Sequence, residues 1–150
     1  MAAEGLDVTD GLVIVGCSQR KRVTSGPVPA LDLYEGWVVP LLRERVTGHP
    51  AARRRVLVLS ARYGLMTADT PVETYDQPMT SERQRTLHHT TPERVLQHLG
   101  RLPSSEALVL TEDVYAQVLG PVPVATTHLI TNPQDRHDDV HAVLNSWNWP

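Results

Sequence analysis

Three short apolar runs recur along this chain, and each stops at a small or hydroxylated residue: "LVIVG" at 12–16, "VLVLS" at 56–60 and "ALVLT" at 107–111. They are continuous rather than alternating and are rich in valine. Runs of about 4–8 such residues read as strands buried on both faces, the kind found in parallel sheets covered by helices. A fourth run, within "VPVATTHLI", predicts a strand near 123–128. Between the runs the spacing is helical. Strand, helix, strand, helix, repeated to the C-terminus, is the order of an α/β fold: a three-layer sandwich with a mainly parallel central sheet, Rossmann-like in type.

The intervening helices can be placed from their periodicity. Leu33, Trp37 and Leu41, with Val38, Leu42 and Val46, predict a helix over about 34–47 despite Pro40. Thr80 or Ser81 is a candidate cap for a helix through the late eighties. Thr91, Pro92 and Glu93 form a helix start whose apolar face is Val95, Leu96 and Leu99. Further helices are predicted from about Asp113 and within "RHDDVHAVLNSW". Residues 23–31, with two prolines and a glycine, read as a loop. So does 66–80, "MTADTPVETYDQPMT", whose length inside a compact domain points to function.

At 150 residues and 41% hydrophobic content, the expectation is one domain over 11–150 behind a loose arm at 1–10. The formal net charge of -3 provides no global basic field, so any phosphate or nucleic-acid contact has to come from a local cluster. One cysteine makes no internal disulfide, the N-terminus lacks the order of a secretory signal, and no run approaches the roughly 20 apolar residues of a membrane span. A cytoplasmic protein is expected, with no membrane partner.

The chemistry gathers where the strands end. Ligands of open parallel sheets bind in the crevice beyond the carboxyl ends of the strands, and here those ends read "GCSQRKR", "SARYG" and "TEDVY". Ser18 and the amides after Gly16 suit a phosphate or carboxylate, with Lys21, the only lysine, as a point charge and Arg20 or Arg22 as a fork. A solvated turn is the plain alternative for this basic quartet. Cys17, beside these cations, is a candidate nucleophile, or else a small residue packed under the loop. Ser60, Arg62 and Thr111 are expected around the same cavity, with Tyr63 and Tyr115 close by in the chain. Glu73, Tyr75 and Asp76 set two carboxylates around an aromatic ring, a pattern fit for acid or base work over a stacked base; solvated loop carboxylates are the alternative.

The chain has neither a Walker pattern nor G-x-G-x-x-G, which argues against an ordinary nucleoside-triphosphate or dinucleotide site. His137 and His141 stand at i, i+4, but without further ligands or the glutamate of H-E-x-x-H they make a weak metal motif, and Asp138 and Asp139 answer the helix dipole. His88 and His89 read as an exposed helix end. No metal and no cofactor are expected.

Taken in order, "GCSQRK", "PALDLY", "VLVLSARYGL", "ETYD" and "LTEDVYAQVL" resemble an uncharacterised bacterial and phage domain family of unknown function. Its members carry S-C-S-x-x-K, P-A-x-x-L-Y, L-S-A-[KR]-[YH]-G-L and P-Y-D-type motifs. The likeness spans about residues 12–120. That family is similar, more distantly, to the uracil-DNA-glycosylase-like domain of archaeosine synthase, an enzyme of tRNA deazapurine modification, which implies a uracil-DNA-glycosylase-like variant of the α/β sandwich. Cys17, Ser18, Lys21, Tyr34, Ser60, Arg62, Tyr63, Gly64, Glu73, Tyr75 and Asp76 fall on its motif positions. Gly16 stands where the family usually has serine, and "ITNPQDRHDD" replaces a glycine-rich C-terminal segment.

Two functions follow as expectations. The first is an enzyme acting on a nucleoside, nucleotide or modified base, by hydrolysis or transfer at the N-glycosidic bond. Asp76 or Glu73 then serves the sugar, Tyr63 or Tyr75 stacks on the base, and Ser18, Lys21 and Arg62 hold a phosphate. The second is a non-catalytic module that binds a nucleotide or a nucleic-acid end in the same pocket. A thiol enzyme using Cys17 is a third.

Overall fold

The computed structural model describes residues 10–16, 21, 23, 25–36, 38–75, 79–131 and 133–150. The strands are β1 (Leu12–Gly16), β2 (Val28–Pro29), β3 (Val56–Ser60), β4 (Gly64–Thr67), β5 (Pro71–Val72), β6 (Glu106–Leu110) and β7 (Thr126–Ile130). The helices are α1 (Ala30–Leu33), α2 (Val39–Val46), α3 (Pro50–Arg53), α4 (Ser81–His88), α5 (Thr91–Arg101), α6 (Asp113–Leu119) and α7 (His137–Ser146), with a 3-10 turn at Pro133–Asp135. Five strands form one sheet in the order β4-β3-β1-β6-β7, and β2 pairs with β5 in a small second sheet. Within the main sheet β1, β3, β6 and β7 run parallel, and β4 returns antiparallel beside β3.

The three apolar runs occupy the middle of this sheet, as a continuous pattern demands. Every residue of β1 and β3 is buried, and β1 lies at the centre. The core gathers these strands with Leu31, Leu33, Val39, Leu42, Val118, Val140 and Leu144 from the helices. β7, at the sheet edge, is mostly exposed, in keeping with its "TTHLI" sequence. No helix among the described residues is long and apolar enough to cross a membrane.

Four local expectations are corrected. The helix expected over 34–47 begins only at Val39, as α2 with Pro40 in its first turn; the short α1 precedes it, ending at Leu33, and Tyr34 is extended (φ -88°, ψ 135°). Proline is tolerated there because the missing N–H has no helical partner at that position. The last strand is Thr126–Ile130 rather than 123–128, since both valines of the run, Val122 and Val124, precede the ladder with β6. On α5 the inward side is Thr91 and Val95, with Leu99 partly buried, while Leu96 is 58% exposed: one position along a helix turns a side chain by about 100°. The segment 66–80 is not all loop, because β4 extends to Thr67 and β5 pairs with β2.

The α4 cap follows the sequence, whereas at the start of α5 the N-cap is Thr90, which makes no side-chain cap bond, and the Thr91 hydroxyl donates to the Leu87 carbonyl at 2.7 Å. Thr80 caps α4, its Oγ1 accepting from the Arg83 N–H at 3.1 Å. Residues 1–9 of the expected arm lie outside the described residues, but Asp10 is tied down. Its carboxylate accepts from the N–H of Gly11 at 2.8 Å, from the N–H of Ser105 at 2.6 Å and from the Ser105 hydroxyl. Burial pushes this carboxyl up and the bonds from Ser105 and Gly11 pull it down, and the bonds prevail.

Candidate functional site at the carboxyl edge of the sheet

β1 stops at Gly16 with β3 on one side and β6 on the other, so Ser60 and Thr111 end at the same edge. Gly16 is level with Leu59, and Val15 with Leu110, which puts Thr111 level with Gly16 and Ser60 one residue beyond. Side chains alternate along a strand. Ser60 therefore leaves the face opposite the one that Thr111 shares with Gly16.

Ser60 is fully buried and anchors a chain of hydroxyls. Its Oγ accepts from the N–H groups of Arg62 and Tyr63, each at 3.1 Å, and lies 2.7 Å from Tyr75 Oη. Tyr75 Oη is in turn 2.8 Å from Tyr34 Oη. Tyr34 is fully buried and Tyr75 is 8% exposed. Three elements far apart in sequence thus meet: the segment after α1, the end of β3 and the segment after β5. Lys21 joins them. Its backbone bridges antiparallel to Tyr34, and its Nζ stands 4.5 Å from the centroid of the Tyr75 ring, within cation–π reach. The Tyr63 ring meets Tyr75 edge-to-face at 5.4 Å, and its hydroxyl donates to the Glu73 carbonyl and accepts from the Glu73 N–H, both at 3.3 Å.

Other expected site residues sit at the margin. The Arg62 side chain is exposed, its guanidinium 5.4 Å over the Tyr63 ring. Glu73 is exposed. Gly64 has φ +76° and starts β4, a backbone conformation that glycine adopts without strain. Tyr115 is buried in the first turn of α6. Cys17, Ser18 and Asp76 lie outside the described residues, as do Arg20 and Arg22.

Thr111 is 1% exposed, and its Oγ1 has no hydrogen-bond partner among the described residues. It lies where a side chain on residue 16 would go: a Cβ there would be 2.3 Å from Thr111 Oγ1. Glycine at 16 is a packing requirement of this pair.

Two arginines that the motifs did not single out hold the site in shape. Arg83 Nε donates to the Ala61 carbonyl at 2.5 Å, and its Nη2 donates to the Arg62 carbonyl, so the turn whose amides bind Ser60 is gripped from α4. Arg43 Nη1 donates to the carbonyls of Leu31 (3.2 Å) and Tyr34 (3.1 Å), and Nη2 pairs with Glu35 at 3.3 Å. Neither shows in the sequence: α4 is polar along most of its length, with only Leu87 buried, and each helix carries two arginines of which one makes these bonds.

A cavity of about 440 Å³ between α4 and α6 shares no lining residue with this cluster; Ser81, Gln84, Arg85, His88, His89 and Gln117 line it. Within it Gln84 Nε2 donates to Gln117 Oε1 at 2.7 Å, and His88 Nδ1 is 3.1 Å from the Val118 carbonyl. Among the described residues no group of three or more His, Cys, Asp or Glu is placed to hold a metal ion. His141 Nδ1 instead meets Arg45 Nη1 at 2.8 Å; a guanidinium only donates, so this nitrogen accepts.

Comparison with curated proteins found no match to the chain, and comparison with solved structures found none. A family model described as "Family of unknown function (DUF6884)" matches residues 12–137, from the first residue of β1 into the start of α7. That span takes in the whole main sheet and every residue of the hydroxyl cluster, and the chain belongs to this family of unknown function.

Proposed function

We propose that the protein is an enzyme acting on a nucleoside, nucleotide or modified nucleobase, at the N-glycosidic bond. The observation that carries this reading is the buried Ser60–Tyr75–Tyr34 hydroxyl chain, with Lys21 against Tyr75, at the carboxyl edge of three parallel strands. Ligands of open α/β sheets bind at that edge. Tyr63 and Tyr75 supply aromatic surface for a base, and the phenols and the ammonium supply donors for its departing nitrogen or oxygen. Breaking the bond leaves positive charge on the sugar, which calls for a carboxylate. Glu73 and Asp76 flank Tyr75 in the chain; the backbone of Glu73 is fastened to Tyr63 and its side chain faces solvent. In the same reading the helices cover both faces of the sheet as a three-layer sandwich, Rossmann-like or uracil-DNA-glycosylase-like, in a single domain of a cytoplasmic protein. Four parallel strands with β1 buried at the centre support it.

The test is release of free base from candidate nucleosides and nucleotides by wild type, Asp76→Asn and Glu73→Gln. In at least one variant, turnover is expected to fall about 100-fold or more while ligand binding stays nearly intact, because the charge is needed chiefly as the sugar becomes cationic. Saturable binding with no free base from wild type identifies a binding module instead. Unchanged release in both variants removes these carboxylates from the mechanism. Full activity in Cys17→Ser removes a thiol mechanism.

A further inference from the structure

A second cavity, of about 350 Å³, lies between α5 and the edge strand β4. That volume is in the range of small-molecule pockets. Leu57 and Thr67 are partners in the β3–β4 ladder and Leu65 precedes Thr67 by two, so these three lining side chains share one face of the sheet. From α5 come Arg94, Gln97, His98 and Arg101, whose i, i+3, i+4, i+7 spacing sets them in one stripe.

The lining holds two guanidiniums and no carboxylate. Arg43, Arg53 and Arg136 each pair with an acid, whereas neither Arg94 nor Arg101 has an ion pair among the described residues. Arg101 suits the negative end of the helix dipole, but Arg94, fourth residue of α5, stands towards the positive end, where a cation is disfavoured. It is held there by the Leu65 carbonyl, which accepts from Nη1 at 3.2 Å; Nε and Nη2 have no partner among the described residues. The hydroxyls of Thr67 and Thr70, also in the lining, are 2.8 Å apart, and the Thr67 N–H donates to Thr70 Oγ1 at 3.2 Å. One hydroxyl proton lies in the shared bond and the other is left to donate. Burial first, and then the charges of Arg101 and Arg55, hold the His98 imidazole below its usual range, so the field along the stripe is positive. His98 Nε2 is buried with no hydrogen-bond partner among the described residues.

A lining of donors and cations beside apolar side chains matches a ligand that accepts hydrogen bonds, carries negative charge and has an apolar part. Arg94 and Arg101 are about 10 Å apart along the helix axis, so their charges serve opposite ends of the cavity. We propose that this cavity binds a small molecule with an oxyanion, carboxylate or phosphate, at each end of an apolar body, one end on Arg94, the other on Arg101, and the body over Leu57 and Leu65. The site goes beyond the nucleoside reading and does not rest on it, although Tyr63 belongs both to this lining and to the aromatic contact with Tyr75.

Titration calorimetry of the full chain at low ionic strength tests this. The probes are straight-chain dicarboxylates from succinate to suberate, the matching terminal bisphosphates, hexanoate and inorganic phosphate. At least one two-ended probe is expected to bind about ten-fold or more tightly than either one-ended probe, since hydrogen bonds to ionised acceptors are the strong ones. Arg94→Met and Arg101→Met are each expected to bring that probe down to the one-ended level. Both arginines are exposed, so these changes leave the core intact. Arg85→Met, on α4 and outside this cavity, is expected to change nothing. Amide resonances of Thr67, Thr70, Gln97 and His98 are expected to shift with the bound probe. A preference for dicarboxylates or for bisphosphates supports the site in either case and identifies its oxyanion. Binding by none of the probes, equal binding of one-ended and two-ended probes, or a loss in Arg85→Met as large as in Arg94→Met overturns the proposal.

Discussion

Gly16→Ala is the sharpest probe of how the strand ends are packed. The added Cβ would sit 2.3 Å from Thr111 Oγ1 and 3.1 Å from Thr111 Cβ, well inside van der Waals contact. Gly16 is held level with Leu59 in the ladder with β3, and the Thr111 N–H donates to the Ile130 carbonyl at 3.2 Å, so neither backbone can retreat cheaply. Overpacking of this kind costs about 1–3 kcal/mol. Replacing glycine by alanine also returns up to about 1 kcal/mol by restricting the unfolded chain. The clash is expected to win, with a net loss of about 1–2 kcal/mol, or a melting temperature lower by roughly 2–8 °C for a chain of this size. Thr111→Ala removes a buried hydroxyl without a partner among the described residues, together with one methyl group, and these effects nearly cancel. Combined with Gly16→Ala it removes the 2.3 Å contact and leaves the 3.1 Å one, which a shift of a few tenths of an ångström relieves. Urea denaturation of the four proteins is therefore expected to give a coupling energy of about 1–2 kcal/mol. A Gly16→Ala protein within 0.5 kcal/mol of wild type, or additivity within about 0.5 kcal/mol, refutes the reasoning.

Three further predictions concern stability and pH. Ser60→Ala strands two turn amides and takes one partner from Tyr75, and is expected to cost about 2–3 kcal/mol in urea unfolding, more than Tyr75→Phe, which leaves the amides paired; the reverse order counts against the hydroxyl chain. Arg83→Met releases the carbonyls of Ala61 and Arg62, and is expected to cost about 1 kcal/mol and to speed amide hydrogen exchange at Arg62 and Tyr63; unchanged exchange there dismisses the grip from α4. Burial, then the charges of Arg101 and Arg55, hold the His98 imidazole below its usual range. The unfolded chain thus binds the proton first as pH falls, so the stability from neutral His98 is complete above about pH 6.5 and drains away as pH drops through the folded-state value. His98→Gln is expected to lose less stability than wild type between pH 7.5 and pH 5.5 in urea titrations, and equal losses dispose of this assignment.

The parallel core was legible because its strands are buried on both faces, which leaves an unbroken apolar run at 12–16, 56–60 and 107–110 that no helix of similar length explains. Where the sequence carried two periods at once it misled. Leu33, Val38, Leu42 and Val46 keep helical spacing, yet Tyr34 is extended because its hydroxyl and its bridge to Lys21 belong to the site, and tertiary contacts there outweigh propensity. β4 was missed because Gly64–Thr67 is short and reaches the sheet through a turn whose φ +76° shows only as one glycine. Ser60, Tyr34, Tyr75 and Lys21, which meet in the hydroxyl cluster, all stand at motif or strand-end positions of the sequence. Their mutual arrangement was not legible, since it depends on β5 and the segment before α2 folding back over β3. Arg83 and Arg43 act through backbone carbonyls, and a donor to a carbonyl leaves no pattern of residue types to read.

The location of the site is most directly tested by following backbone amide resonances while a panel of ribonucleoside 5′-monophosphates is titrated into the protein. A site at the carboxyl edge predicts that the largest shifts fall on Gly16, Lys21 and Ser60 to Gly64, with smaller ones at Tyr34 and Tyr75, and that Tyr75→Phe weakens them all. Shifts concentrated instead at Ser81, Gln84, His88 and Gln117, which line the cavity between α4 and α6, would contradict it.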